Sequence, residues 1–244
     1  MNRQSPPQQF KYILPNLFTA ASIFTGLFSM IEAVNGEFAA AAWFIMLSLI
    51  LDGLDGRVAR MTNSCSQFGV EFDSLADIVS FGVAPAILIY MFVGQEFGRF
   101  GIVVSALFVI FGAIRLARFN VMTATTEPSV FIGVPIPTAA VFLSVLVLLF
   151  GRYSELADFK VVILIMAVFV SLLMVSNIRY PSFKKIDFKK PHFMRWFVMV
   201  LIVALLVFIY PIEGFATLFS LYLFYGPIRA VATVMKHANR FPKR

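Results

Sequence analysis

The sequence predicts an all-α protein, a polytopic transmembrane helical bundle of about eight spans with both termini cytoplasmic. Three observations carry that expectation. Of 244 residues, 60% are apolar and 14% charged, whereas an ordinary soluble domain is about 45–50% apolar and about 25% charged; the mean hydropathy is +0.87. Apolar runs recur from end to end at the length of roughly 20 residues needed to cross a hydrocarbon core about 30 Å thick. The basic residues fall unevenly between alternate connections, as membrane insertion requires. A soluble enzyme of this size is excluded.

The runs are 13–34, 38–60, 70–94, 98–121, 131–150, 158–177, 195–211 and 213–235. The first follows MNRQSPPQQFKY and continues through Ile31, so it reads as a spanning helix rather than a cleaved leader, although Ala20-Ala21-Ser22 resembles a small-residue cleavage site. The second and third are joined by Thr62-Asn63-Ser64-Cys65-Ser66, polar residues suited to ending one helix and capping the next. Cys65 is the single cysteine and has no partner for an internal disulfide. Longer polar connections run from Thr123 to Pro128 and from Arg179 to Arg195, and the last two runs are separated only by Pro211-Ile212-Glu213-Gly214. None of these connections is long enough for a domain, so residues 1–244 read as one.

With eight spans, 17 Lys and Arg residues fall on the side of the N-terminus, and only Arg99, Arg152 and Lys160 on the other. The positive-inside rule places the crowded side in the cytoplasm. The net charge of +7 is thereby explained by topology, and no nucleic-acid partner is expected. Lys184, Lys185, Lys189 and Lys190 suit anionic lipid headgroups as well as they suit topology.

Residues 52–77 break the apolar pattern with Asp52, Asp55, Arg57, Arg60, Glu71, Asp73 and Asp77. An Asp at the centre of a spanning helix costs about 2.5–3.5 kcal/mol, and four cost on the order of 10 kcal/mol, so such groups face a polar cavity and have partners. Asp52 and Asp55 share one face near the end of the second helix, as do Asp73 and Asp77 at the start of the third. An antiparallel hairpin brings both pairs to similar depth. Glu71, two residues before Asp73, points away. The two arginines cannot neutralise four carboxylates. Hard divalent cations, Mg²⁺ or Mn²⁺, can, and they bridge carboxylates to substrate phosphates; two together clamp the oxygens of a phosphoryl displacement. Gly56 and Ala59 leave a groove where a ligand can approach the helix backbone, Gly69 relieves crowding at the hairpin, and Arg60 offers a forked donor to a pyrophosphate.

The run Asp52-x₂-Asp55-Gly56-x₂-Ala59-Arg60, eight residues, then Gly69-x₃-Asp73-x₃-Asp77 resembles the signature of the CDP-alcohol phosphotransferase family. Leu14-Pro15-Asn16-Leu17-Phe18-Thr19, Phe81-Gly82-Val83-Ala84-Pro85, Arg115-Leu116-Ala117-Arg118-Phe119-Asn120, Gly133-Val134-Pro135-Ile136-Pro137 and Ser176-Asn177-Ile178-Arg179-Tyr180 are similar, in that order, to the bacterial integral-membrane branch whose acceptor is L-serine. The resemblance implies a donor, CDP-diacylglycerol; divalent cations, two of them, on Asp52, Asp55, Asp73 and Asp77; and Asp77 as the base for the acceptor hydroxyl. It further implies CDP contacts from Asn16, Thr19, Gly56, Ala59 and Arg60, a homodimer, and a site near the cytoplasmic face of a bacterial inner membrane.

Serine is a zwitterion whose carboxylate needs a cation. Arg115 and Arg118, three apart near the end of the fourth helix, can share a face, and Asn120 offers a donor and an acceptor nearby. The same arginines also fit as interfacial anchors. Other acceptors, glycerol phosphate or an inositol phosphate, would call for several clustered basic residues. A cation transporter would disperse its carboxylates along a path through the bilayer, whereas these gather in one hairpin.

Overall fold

The computed structural model describes residues 9–64, 66–123, 131–180 and 193–238; Cys65 and the four lysines at 184–190 lie outside them. Helices α1 (Gln9–Val34) and α2 (Phe38–Met61) form an antiparallel pair. A third rod follows, built from α3 (Gln67–Asp77), a π-helical turn (Ile78–Val83) and α4 (Ala84–Phe92). Next come α5 (Arg99–Thr123), α6 (Ile136–Arg152), α7 (Val161–Val175), α8 (Phe193–Ile209) and α9 (Pro211–Ala238). Strands β1 (Phe131–Ile132) and β2 (Arg179–Tyr180) make a two-residue antiparallel ladder, Phe131 opposite Tyr180. The protein is an integral membrane protein. Among the described residues, five helices are long and apolar enough to cross a bilayer: 13–34, 38–61, 67–92, 99–122 and 211–232.

Helices α6 and α7 are shorter than the apolar runs that announce them. The fifth run was expected from residue 131, but helix begins only at Ile136. Gly133 has φ +75, a conformation glycine adopts without penalty, and its N–H donates to Ile178 O (2.9 Å). Pro135 is extended. Residues 131–135 therefore serve as a strap across the end of α7, and any side chain at Gly133 would collide with Met174 O. The sixth run loses its first residues to a 3₁₀ segment, Ser154–Phe159.

The core centres on α6, whose Ala139, Val141, Leu143 and Val145 are buried and which packs against α2, α4, α7 and α9. Helix α5 lies on α7, and α8 packs on α9 with an exposed apolar face of Leu201, Ile202, Leu205 and Phe208. At the end of the bundle away from the 62–66 turn, charges pair across the helix ends. Arg152 lies 3.6 Å from Glu213, which also accepts a hydrogen bond from the Tyr153 hydroxyl (2.6 Å), and Lys160 lies 4.0 Å from Glu96.

One buried polar network sets the relative depth of α1, α2 and the π turn. The hydroxyls of Thr25 and Ser48 share a 2.7 Å hydrogen bond, Ser80 donates to Ser22 O (2.9 Å), and Ser22 donates to Ser80 Oγ (3.3 Å). The π turn has a local cause. Pro85 has no N–H to continue the ladder, and the Ala84 N–H reaches Val79 O, five residues back. Wide turns of this kind are found mostly as single insertions in α-helices, often at functional sites; this one immediately follows Asp77.

Helix α1 approaches this turn through Gly26, where an added Cβ would stand 2.8 Å from Ser80 Oγ and 2.9 Å from Ser80 Cα. Gly26→Ala is therefore expected to destabilise the fold by about 1–3 kcal/mol, the range for overpacking a close contact. The drop should appear in the thermal unfolding midpoint of the detergent-solubilised protein; an unchanged midpoint would contradict the tight packing.

Candidate active site

The hairpin that carries the carboxylates closes with two standard caps. Helix α2 ends in a Schellman turn: Asn63 takes φ +49, the Ser64 N–H donates to Ala59 O (2.9 Å), and the Asn63 N–H to Arg60 O (3.4 Å). Asn tolerates this left-handed position better than most residues. Ser66 then caps α3 by accepting a hydrogen bond from the Gly69 N–H (3.0 Å). The polar turn read from the sequence is thus what reverses the chain and sets the two helices at matching depth.

The consequence is a carboxylate cluster. One oxygen from each of Asp52, Asp55 and Asp73 lies within 4.8 Å of the others. Asp77, one turn beyond Asp73, adjoins Asp52, and its Oδ1 is buried without a hydrogen-bond partner. Asp55 is only 6% exposed and is held by Thr19 of α1, whose hydroxyl donates to Asp55 Oδ2 at 2.7 Å. Arg60 is the cation in electrostatic reach of Asp55. All-oxygen donors at this spacing fit a hard divalent cation, and the orphaned Asp77 oxygen is an acceptor still to be satisfied.

Beside the cluster opens a cavity of about 200 Å³. Its lining includes all five residues expected to contact the nucleotide, Asn16, Thr19, Gly56, Ala59 and Arg60, together with Asp55 and Asp73. Two glycines keep it open. A Cβ at Gly56 would meet the Arg60 guanidinium at 3.4 Å, and one at Gly69 would meet Ser66 Oγ at 3.2 Å and Asn16 Oδ1 at 3.6 Å. Pro15, Ser64, Ser66 and Val70 complete the walls. These were not singled out as site residues, because their signal in the sequence is that of a helix start and a turn.

The two arginines of α5 separate in role. Arg115 is 6% exposed, carries an Nε without a hydrogen-bond partner, and stacks 5.2 Å from the centre of the Phe119 ring. It is a cation in electrostatic reach of Asp77. Arg118 instead donates to Val175 O and Asn177 Oδ1 (both 3.3 Å), Ile132 O (3.3 Å) and Ser176 O (3.1 Å). Its guanidinium fastens α5 to the end of α7 and to β1. Asn120 donates to Ser74 Oγ (2.9 Å), so it touches α3 one residue from Asp73.

Tyr222 of α9 was not foreseen. Its ring lies 5.5 Å from that of Tyr180, and it is an electrostatic neighbour of Arg115. Tyr180 is fully buried and donates to Leu223 O (3.1 Å); burial holds its phenol above the usual tyrosine range, which keeps it a neutral donor.

Residues 12–173 match the CDP-alcohol phosphatidyltransferase family. The chain is 53% identical over 226 residues to a CDP-diacylglycerol--serine O-phosphatidyltransferase of Helicobacter pylori strain J99, covering 92% of this chain and 94% of the relative. It is 42% identical over 170 residues to an archaetidylserine synthase of Methanothermobacter thermautotrophicus, covering 69% of each. A Bacillus subtilis CDP-diacylglycerol--serine O-phosphatidyltransferase is 34% identical over 172 residues, 70% of this chain and 92% of the relative. With the signature aspartates gathered at one cavity and these likenesses along most of its length, the chain belongs to the CDP-alcohol phosphatidyltransferase family.

Proposed function

We propose that this protein is a phosphatidylserine synthase, transferring the phosphatidyl group of CDP-diacylglycerol to the hydroxyl of L-serine and releasing CMP. The observation that carries this reading is that two of the three clustered carboxylates, Asp55 and Asp73, line a cavity walled by Arg60, Asn16, Thr19 and the small residues Gly56 and Ala59. The names of the Helicobacter relatives, which cover nearly the whole chain, support the same donor and acceptor.

In this mechanism the cavity holds the CDP moiety, with the Arg60 fork on the pyrophosphate and the backbone at Gly56 open to close approach. Asp52, Asp55, Asp73 and Asp77 would hold the divalent cations, two of Mg²⁺ or Mn²⁺, which would supply positive charge where the pyrophosphate and the departing phosphate carry negative charge. Thr19 fixes the Asp55 carboxylate in position. The serine hydroxyl attacks the lipid-bearing phosphorus in line: the new O–P bond forms as the P–O bond to CMP breaks, and the hydroxyl proton passes to Asp77. Among the described residues the carboxylate cluster itself includes no Ser, Cys or His side chain, which supports a direct transfer.

Arg115 receives the serine carboxylate. It is buried in electrostatic reach of Asp77, and its Nε is unpartnered. A phosphorylated acceptor would be better served by several basic groups, and Arg118 is engaged with main-chain carbonyls, which leaves it the task of holding α5 in register. Asn120, through Ser74, lines the approach. Around this site we place the whole chain as one domain of eight spans in a bacterial inner membrane, with both termini and the site cytoplasmic, and as a homodimer. The 17-to-3 division of basic residues supports that orientation, and so does the pairing of Arg152 and Lys160 with acids at the opposite end.

The purified protein is expected to release CMP from CDP-diacylglycerol with L-serine, not with glycerol 3-phosphate or inositol, and only with Mg²⁺ or Mn²⁺ present. Equal rates across acceptors, or full activity in chelator, would overturn the assignment. Asp77→Asn should lower kcat by about 10²–10⁴-fold, the usual worth of a positioned base, while CDP-diacylglycerol still binds by equilibrium titration; near-normal turnover would remove Asp77 as base. Arg115→Ala should raise the serine KM by about tenfold or more, as loss of a charged hydrogen bond does. Arg118→Ala should chiefly lower the thermal midpoint, and the reverse pattern in the same assays would exchange the two roles.

A further inference from the structure

Helix α1 contributes no carboxylate to the cluster, yet one of its side chains is committed to it. Thr19 is 3% exposed within the spanning part of α1, and its hydroxyl donates across to Asp55 Oδ2 of α2 at 2.7 Å. A serine or threonine hydroxyl inside a helix ordinarily returns to the carbonyl four residues back, as Ser144 does to Ala140 O (2.9 Å) and Ser171 to Ala167 O (2.6 Å). Thr19 keeps only a 3.3 Å contact with Pro15 O, and its shorter bond has the length of a charge-assisted O–H···O⁻ pair. A hydroxyl has one proton to donate, and here the Asp55 carboxylate takes it. The depth of that hydroxyl is fixed by the same face of α1. Ser22, three residues on, donates to Ser80 Oγ (3.3 Å) and accepts from Ser80 at its carbonyl (2.9 Å), while Thr25 shares a 2.7 Å bond with Ser48 of α2.

We propose that Thr19 is a positioning residue of the metal site rather than a nucleotide contact: it holds the Asp55 carboxylate so that the free protein already presents the donors a divalent cation needs. The inference rests on the reading of the aspartate cluster as that site. The physical argument is one of preorganisation. The terminal torsion of an aspartate is broad, and a ligand oxygen that is frozen only when the cation arrives costs affinity. With Oδ2 tied to Thr19, that freedom is removed beforehand. Threonine suits the task because branching at Cβ makes its own χ1 stiff, and the knot of Ser22, Thr25, Ser48 and Ser80 keeps α1 from sliding along α2. The metal affinity of the cluster therefore depends on a helix that supplies none of its carboxylates.

Titration of the full-length protein in detergent with Mn²⁺, without CDP-diacylglycerol and read by the electron paramagnetic resonance of the free ion, tests this. Thr19→Val keeps the branched shape and removes the proton, and it is expected to weaken Mn²⁺ binding about 10- to 100-fold, the usual worth of a hydrogen-bonded partner behind a metal ligand. Thr19→Ser restores the donor and should bind Mn²⁺ within about threefold of the wild type. The KM of Thr19→Val for CDP-diacylglycerol, measured at saturating Mn²⁺, should stay within about twofold, because the hydroxyl proton was not serving the nucleotide. Unchanged or tighter Mn²⁺ binding in Thr19→Val overturns the proposal. So does a raised KM for CDP-diacylglycerol at saturating Mn²⁺, which would return Thr19 to the nucleotide. A lower thermal midpoint in chelator for Thr19→Val, with no recovery of Mn²⁺ binding in Thr19→Ser, would reduce Thr19 to a packing role and also overturn it. If the wild type retains no Mn²⁺, or Asp55→Asn binds it as well as the wild type, the reading of the cluster as a metal site fails first.

Discussion

Four carboxylates inside an apolar bundle can be tolerated only if they stand together, at one depth, around something positively charged. Everything else in this structure answers to that constraint. Placed singly along spanning helices, the four aspartates would each bear the cost of an isolated charge in hydrocarbon. Gathered on the facing surfaces of α2 and α3, they form a donor set whose mutual repulsion is relieved by binding cations. The turn at 62–66 makes the gathering possible. A Schellman end, a left-handed Asn63 and a Ser66 cap reverse the chain within a few residues, so Asp52 and Asp55 meet Asp73 and Asp77 without an intervening loop to adjust the register.

Holding that register needs more than the turn, because two apolar helices slide easily against one another in lipid. Small residues and hydroxyls supply the friction. Ser22, Thr25, Ser48 and Ser80 form a hydrogen-bonded knot between α1, α2 and the π turn, and Gly26 lets α1 approach the backbone of the third rod. Close packing of small residues and interhelical hydrogen bonds are the general means of association in a bilayer, where no hydrophobic force separates helix from lipid. Here they also place Thr19 against Asp55. The same first helix that braces the fold thus orients one of the site carboxylates and forms a wall of the cavity.

The α5 side of the bundle is organised differently. Two arginines one helical turn apart, alike in sequence, divide between a buried position in electrostatic reach of Asp77 and a clamp on the carbonyls at the end of α7. The clamp explains the strap at 131–135 as well. Ile132 O accepts from Arg118, while Gly133 and Val134 donate to the carbonyls of Ile178 and Leu173. The polar groups freed by ending α7 early are satisfied by this side-chain and strap network, so the shortness of α6 and α7 and the position of Arg118 are parts of one arrangement.

Much of this was legible from residue order. The bundle class followed from composition, since apolar side chains in such number have no other solvent. The hairpin and its carboxylate pairs followed from spacing, because residues three and four apart share a helix face whatever surrounds them. The five residues expected to contact the nucleotide could be named from the family resemblance, and all five line one cavity. Hydropathy, by contrast, overran the helices at 131–135 and 158–160, since an apolar run does not register that Gly133 takes a positive φ or that a 3₁₀ turn precedes α7. Nor could spacing distinguish Arg115 from Arg118, place a π turn after Asp77, or stack Tyr222 on Tyr180. Those depend on contacts between segments far apart in the chain, which only the packed structure creates. The sequence alone determined the class of the protein and the chemistry of its carboxylates, both of which are local properties. The tertiary structure decided which arginine lies buried in electrostatic reach of Asp77 and which clamps the end of α7, because long-range packing gives each its surroundings.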